Sequence, residues 1–285
     1  MEKIKNSRGA SFAVIALIYV IAGAAGFAVY SALDFGVWIN LFTADVAATV
    51  VTYVFSVLFE NASVYDPYWS VQPMVIVFAF ALGKEITLLR ALLFAAIIYW
   101  GMRLTANWAY TFGGLKYQDW RYTMLKERTG KLYPIINFIG IHMVPTLIVY
   151  GCVLPAVYAF ENDVRANAMS VAFICVSFFA ASLQLVADTQ MHRYRADRDA
   201  PFMRHGVWKY SRHPNYLGEI LMWWGVALSV VSACPDKWYL AVGALANTAL
   251  FLTVSIPMAD GRQSQKAGFE QYKEETRMLL PLKKQ

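Results

Sequence analysis

The densest run of chemically able side chains is Lys209-Tyr-Ser-Arg-His-Pro-Asn-Tyr-Leu-Gly-Glu219, which leads straight into the apolar stretch Ile220–Ser232. Arg212 can grip a phosphate through two parallel N–H bonds, a geometry that Lys lacks. Pro214 disfavours helix at His213 and fits the first turn of a helix that follows it. Asn215 and Glu219, four residues apart, would then share one helical face and could hold a common ligand. Glu219 would lie inside a membrane span, where an ionisable side chain is costly and marks function by default. A juxtamembrane anchor of Arg, His and Tyr explains part of the string, but not the carboxylate.

The elements that must position these residues are membrane spans. The chain has 285 residues, 58% of them hydrophobic and 15% charged, whereas soluble globules carry about 25% charged residues. A span needs about 20 mainly apolar residues. Segments 11–33, 38–59, 67–82, 86–104, 135–160, 166–187, 217–233 and 238–257 fit, the third being short and opening with Asp66-Pro-Tyr-Trp. With the N-terminus inside, 21 of the 25 Lys and Arg fall on the inner side, as the positive-inside rule requires. The expected fold is therefore all-α, a polytopic bundle of about eight spans with both termini cytosolic. Residues 1–37 form an additional first span, too long for a signal-peptide core of roughly 7–15 residues. Residues 38–285 form the main domain, with the polar chemistry mostly in 100–285. Such a chain sits in the cytoplasmic membrane of a bacterium or the endoplasmic reticulum of a eukaryote. Its basic residues flank spans and form no nucleic-acid stripe.

Further stretches accompany the Arg-His-Pro-Asn-Tyr string: Trp100-Gly-Met-Arg103-Leu at the end of a span, Asp119-Trp-Arg121-Tyr after it, and Asp188 followed by Gln190, Arg193 and Arg195. A closing segment runs from Ser255-Ile-Pro-Met through Phe269, Tyr272 and Thr276 to Pro281. Together, in this order, they resemble the steroid 5-alpha-reductase-like membrane proteins of the DUF1295 group, whose wider clan includes sterol C14 and C7 reductases and isoprenylcysteine carboxyl methyltransferase. The resemblance covers about residues 38–285. It implies an NADPH-dependent reductase of the carbon–carbon double bond of a hydrophobic enone. Carried over, the cofactor contacts would be Arg103, Asp188, Arg195, Asn215 and Glu219, with Arg212, His213 and Tyr216 beside them. No GxGxxG is present, so a Rossmann site is not on offer.

In the steroid enzymes an acidic residue and a tyrosine polarise the substrate carbonyl. By that resemblance Asp66 is the candidate acid, with Tyr65 and Tyr68 the nearest tyrosines. A sheltered carboxyl there would have a raised pKa and could donate a proton, although Asp66 before Pro67 also reads as a helix cap. The family's tyrosine position falls near Leu89, which keeps open a non-catalytic protein of the same fold. A membrane methyltransferase using S-adenosylmethionine is the other alternative, since the Arg-His-Pro string recurs there. His142, in an apolar span, reads as a core histidine. No residues have metal-ligand spacing, and Cys152, Cys175 and Cys234 suggest no disulfide framework.

Overall fold

The computed structural model describes residues 2–197 and 200–281. Among the described residues there is no strand. After a short helical turn at Glu2–Asn6, the main helices, in chain order, are α1 (Arg8–Ala32), α2 (Val37–Leu58), α3 (Tyr68–Ala81), α4 (Leu88–Thr111), the long helical stretch α5 (Trp120–Glu161), α6 (Ala168–Asp197), α7 (Pro214–Val231), α8 (Pro235–Gln263) and α9 (Phe269–Glu275). Six of them, α1, α2, α4, α5, α6 and α8, are long and apolar enough to cross a membrane. Of the other two expected spans, α3 has 14 residues; α7 has 18 and carries Asn215 and Glu219 in its first two turns. The fold is an all-α, polytopic one, and its apolar helices make it an integral membrane protein.

The chain divides into two compact units. The first comprises the residues up to Pro73 together with Leu104–Tyr150; the second comprises Met74–Arg103 and the chain from Gly151 onward. In the first unit α1 packs on α2, and Gly26 makes the approach close: a Cβ there would stand 3.1 Å from the Ala44 carbonyl oxygen. Ile15 and Ile18 of α1 join Phe59, Val64, Phe112 and Leu115 in one core cluster. The buried face of α2 is polar as well as small, with Asp45, Thr49, Thr52 and Ser56 all buried. Their spacing of three or four residues sets them on one stripe.

Within the second unit α6 and α7 form the main helix pair. Gly218 and Gly225, seven apart and on one face, let α7 approach the backbone of α6. A Cβ at Gly218 would lie 2.7 Å from the Ala180 carbonyl oxygen, and one at Gly225 would lie 2.6 Å from that of Phe173. Small residues at such a contact replace the hydrophobic drive that lipid removes. Ser177 Oγ then donates across the pair to the Met222 carbonyl oxygen at 3.0 Å. Gly151 in α5 and Gly243 in α8 make a second close backbone contact.

Gly225→Ala should cost about 1–3 kcal/mol, as overpacking of a tight core does, because the backbone of α6 must move. Gly23→Ala, where a Cβ meets nothing within 4 Å, should be neutral or slightly stabilising. Reversible unfolding in mixed detergent, compared between the two variants, checks this.

Candidate functional site

Helix α7 begins where Pro214 requires: Pro214 is its first residue and His213 lies outside it, with non-helical angles. This places Glu219 in the second turn, 4% exposed. Its carboxylate accepts two indole N–H bonds, from Trp100 Nε1 at 2.8 Å and from Trp223 Nε1 at 2.9 Å. Trp100 comes from α4 and Trp223 from α7 itself, four residues on. One turn further along α4 is Arg103, whose Nη1 donates to Asp188 Oδ2 at 2.8 Å and whose Nη2 donates to Gln184 Oε1. Asn215 hydrogen-bonds Asp188, and Arg195 is close enough to act on it electrostatically. The structure thus brings Arg103, Asp188, Asn215 and Glu219 into one network, with Arg195 exposed at its margin.

One donor of this network, Arg103 Nε, is buried without a partner, while the Gln184 amide lies within hydrogen-bonding reach of the Glu219 carboxylate. Buried polar groups are almost always satisfied, and an exception calls for an explanation. Gln184, Trp100 and Trp223 were not singled out in the sequence as site residues. Trp100 stands within a quoted motif and Trp223 in the apolar stretch after Glu219, but nothing in their spacing announces a shared carboxylate.

Arg212, His213 and Tyr216 form a neighbouring group with a different job. Arg212 Nη1 donates to the carbonyl oxygens of Thr276 (2.6 Å) and Lys273 (3.3 Å), and Nη2 to Asp260 Oδ2 at 3.1 Å. His213 Nε2 meets Asp260 Oδ1 at 2.8 Å, and its ring stacks on Tyr216 with centroids 5.2 Å apart. The Arg212 backbone N–H donates to Arg277 O, while the Tyr272 hydroxyl donates to Trp208 O. Phe202, Phe269 and Tyr272 pack together beneath. Arg212, expected at a phosphate, fastens the tail here; only its Nε is buried and unpartnered.

The candidate acid and tyrosines lie in the first unit. Asp66 follows the short 3-10 turn Ala62–Tyr65 and accepts a hydrogen bond from the Tyr122 hydroxyl at 2.8 Å. Desolvation pushes its carboxyl up to about 6, against the opposing pull of Arg121 and the hydrogen bonds from Tyr122 and Ser63. Asp66 lies in the connection before α3, outside the spans. Asn61 donates to the carbonyl oxygens of Leu115 and Tyr117 and is 3% exposed, so its Asn-Ala-Ser sequence is shut inside the fold.

Tyr65 and Tyr68 face a second acid instead. The Tyr68 hydroxyl donates to Asp45 Oδ1 at 3.2 Å and accepts from Thr49 at 3.3 Å. Asp45 Oδ2 accepts from Gln72 Nε2. Tyr65 shares a 2.8 Å bond with Thr146, which in turn reaches Thr49 at 3.1 Å. Asp66, Tyr65, Tyr68 and Tyr122 all lie within electrostatic reach of Tyr19, so the acids and tyrosines of this unit form one neighbourhood. In the sequence Asp45 is visible only as an impurity in an apolar segment. No cluster of His, Cys, Asp or Glu among the described residues could hold a metal.

A polytopic helical membrane protein with buried acids, arginines and amides is the class that this geometry defines. The family model described as "Protein of unknown function (DUF1295)" matches residues 52–276, and the chain belongs to the DUF1295 family. It is similar to an uncharacterized protein of the fission yeast Schizosaccharomyces pombe, 27% identical over 197 residues, which cover 59% of this chain and 57% of that protein. The chain therefore spans little more than half of that relative. No solved structure matches it.

Two outcomes follow from the geometry. Arg212→Ala leaves Asp260 without its guanidinium and frees the tail carbonyls, so trypsin should cut at Lys273 and Arg277 markedly faster than in the unaltered protein. Asp66 binds its proton more tightly folded (about 6) than unfolded (3.8). Its contribution to stability is thus greatest below about pH 4 and is lost as pH rises to 6; Asp66→Asn should flatten that part of a stability–pH curve.

Proposed function

We propose that this chain is a membrane-embedded reductase that uses NADPH to saturate the carbon–carbon double bond of a hydrophobic enone. The observation that carries the reading is the buried network of the second unit, with Arg103 Nε left as an unsatisfied donor. A dinucleotide offers the matching acceptors in its phosphate and carboxamide oxygens. Arg103 and Arg195 would hold its negative charge, and Asp188 and Asn215 its hydroxyl and amide groups. The acidic Glu219, already taken by two indoles, positions Trp100 and Trp223. When bound, the nicotinamide supplies a hydride.

The chain's own residues must then manage the proton. In the first unit the Asp66 carboxyl, bonded by Tyr122 and Ser63, is raised to about 6, which keeps an appreciable fraction of its proton near neutral pH. Tyr68, whose hydroxyl proton goes to Asp45 in this structure, would turn it to the carbonyl oxygen when substrate is bound. An acid with its pKa close to the working pH is the efficient donor. Burial of Tyr65 and Tyr68 keeps water from competing for the carbonyl.

Detergent-purified protein should bind NADPH, and Arg103→Ala should weaken it about 10- to 100-fold, as loss of a charge-assisted buried hydrogen bond does. Binding of S-adenosylmethionine instead would make the chain a methyltransferase, and binding of neither would end the reductase assignment. With an enone substrate, turnover should drop about tenfold per pH unit above pH 6, as the proton leaves Asp66. Asp66→Asn should cut the rate about 10²- to 10⁴-fold while leaving the NADPH dissociation constant unchanged. If Asp45→Asn has that effect and Asp66→Asn does not, the proton belongs to Asp45 and Tyr68.

A further inference from the structure

One end of the first unit is a basic surface with nothing to balance it. Arg8 opens α1, and its Nη2 donates to the carbonyl oxygens of Ala109 (2.9 Å) and Tyr110 (3.4 Å) in the last turn of α4. Both helices are long and apolar enough to span, so their adjoining ends mark the level at which the bilayer's headgroups begin. The turn that follows α4 is stitched over this end. The Leu115 N–H donates to Ser11 Oγ at 3.0 Å, Ser11 Oγ donates to Ile4 O at 2.9 Å, and the Lys116 N–H donates to Lys5 O at 3.1 Å. Gly114, at φ +103°, makes the approach close: a Cβ there would stand 3.3 Å from Lys5 O and 3.6 Å from Arg8 Cα. From the other side Asn61 Nδ2 holds the carbonyl oxygens of Leu115 and Tyr117.

The stitching brings together the backbones that carry Lys5, Arg8 and Lys116, with Lys3 two residues before Lys5. Lys3, Arg8 and Lys116 are exposed and Lys5 is half-buried. Glu2 is the single acid in residues 2–8 and 112–118, and among the described residues none of the four cations is in an ion pair. Orientation in the membrane explains basic residues at span ends, but it asks only for their number. It does not ask that two segments be tied so that like charges, which repel, share one surface. Tyr110 and Tyr117 are exposed beside them, as phenols at headgroup level are. Below, α1 exposes Ala13, Leu17, Val20 and Ala24 at helical spacing, an apolar stripe that leads into the bilayer.

We propose that Lys3, Lys5, Arg8 and Lys116 bind the phosphate of an anionic phospholipid whose acyl chains lie along α1. A zwitterionic lipid brings a cation of its own and leaves the patch unbalanced. The site goes beyond the reductase reading and does not depend on it, because it makes no use of NADPH or of the second unit's network.

The test uses the full chain in mixed micelles, with bound lipid measured by native mass spectrometry during titration with phosphatidylglycerol or phosphatidylcholine. Each basic residue at an anionic surface favours binding about fivefold. Phosphatidylglycerol should therefore bind about 100-fold more tightly than phosphatidylcholine, and Lys5→Gln with Lys116→Gln should weaken it about 25-fold. The pair Arg128→Gln with Lys131→Gln removes the same charge from other exposed positions of the unit and should leave the preference intact. Equal loss in the two double variants means diffuse attraction by net charge and overturns the site. Equal binding of the two lipids by the unaltered protein, a comparison that needs no variant to fold, overturns it as well. Glycerol 3-phosphate offers the phosphate without chains; if it binds as tightly as phosphatidylglycerol, the site takes a soluble phosphate ester and the lipid proposal falls.

Discussion

Hydrocarbon offers no water to a polar group, so every donor and acceptor inside a span has to find a partner within the protein. That constraint accounts for most of the polar architecture here. The hydroxyls of Thr43, Thr52, Ser182, Thr248 and Thr253 bond back to carbonyls four residues earlier in their own helices. Glu219 is held between two indoles, and the stripe Asp45, Thr49, Thr52 and Ser56 turns inward on α2. Against this background the few unpartnered atoms, Arg103 Nε among them, stand out.

Backbone proximity is the means by which the constraint is met. Helices α6 and α7 come close only because Gly218 and Gly225 lack side chains, and this closeness brings Gln184 beside Gly218 and within reach of Arg103. Arg90 works in the same way at another helix end, donating to the carbonyl oxygens of Ala159, Glu85 and Asn162. A long, rigid guanidinium can satisfy several chain-end carbonyls at once, which a lysine ammonium does with less geometric definition. Arg212 does this for the tail. Its place in a motif and its charge suggest a ligand contact, but its surroundings make it a fastener between α8, the approach to α7 and the residues after α9.

The helices themselves were legible in the sequence, because apolar length and flanking charge are local properties. All eight expected segments are helical, and Pro214 starts α7 where its missing N–H allows. Less legible was which polar residues meet. Asp66 and Tyr68 are two residues apart, yet Asp66 turns to Tyr122, 56 residues on, while Tyr68 turns to Asp45 in α2. Asp45 reads in the sequence as a blemish in an apolar run, since its worth depends on Gln72 and Tyr68 arriving from another helix.

By itself, then, the sequence determined an all-helical membrane protein of the DUF1295 family, a polar end between Trp100 and Glu219, and the start of α7. These follow from hydropathy, proline geometry and an ordered set of motifs, none of which needs a distant contact. Only the tertiary structure decided that Glu219 serves two tryptophans, that Arg212 ties down the tail, and that the Lys116 backbone meets Lys5. A hydrogen bond is decided within a few tenths of an ångström, and only packed helices fix positions that finely.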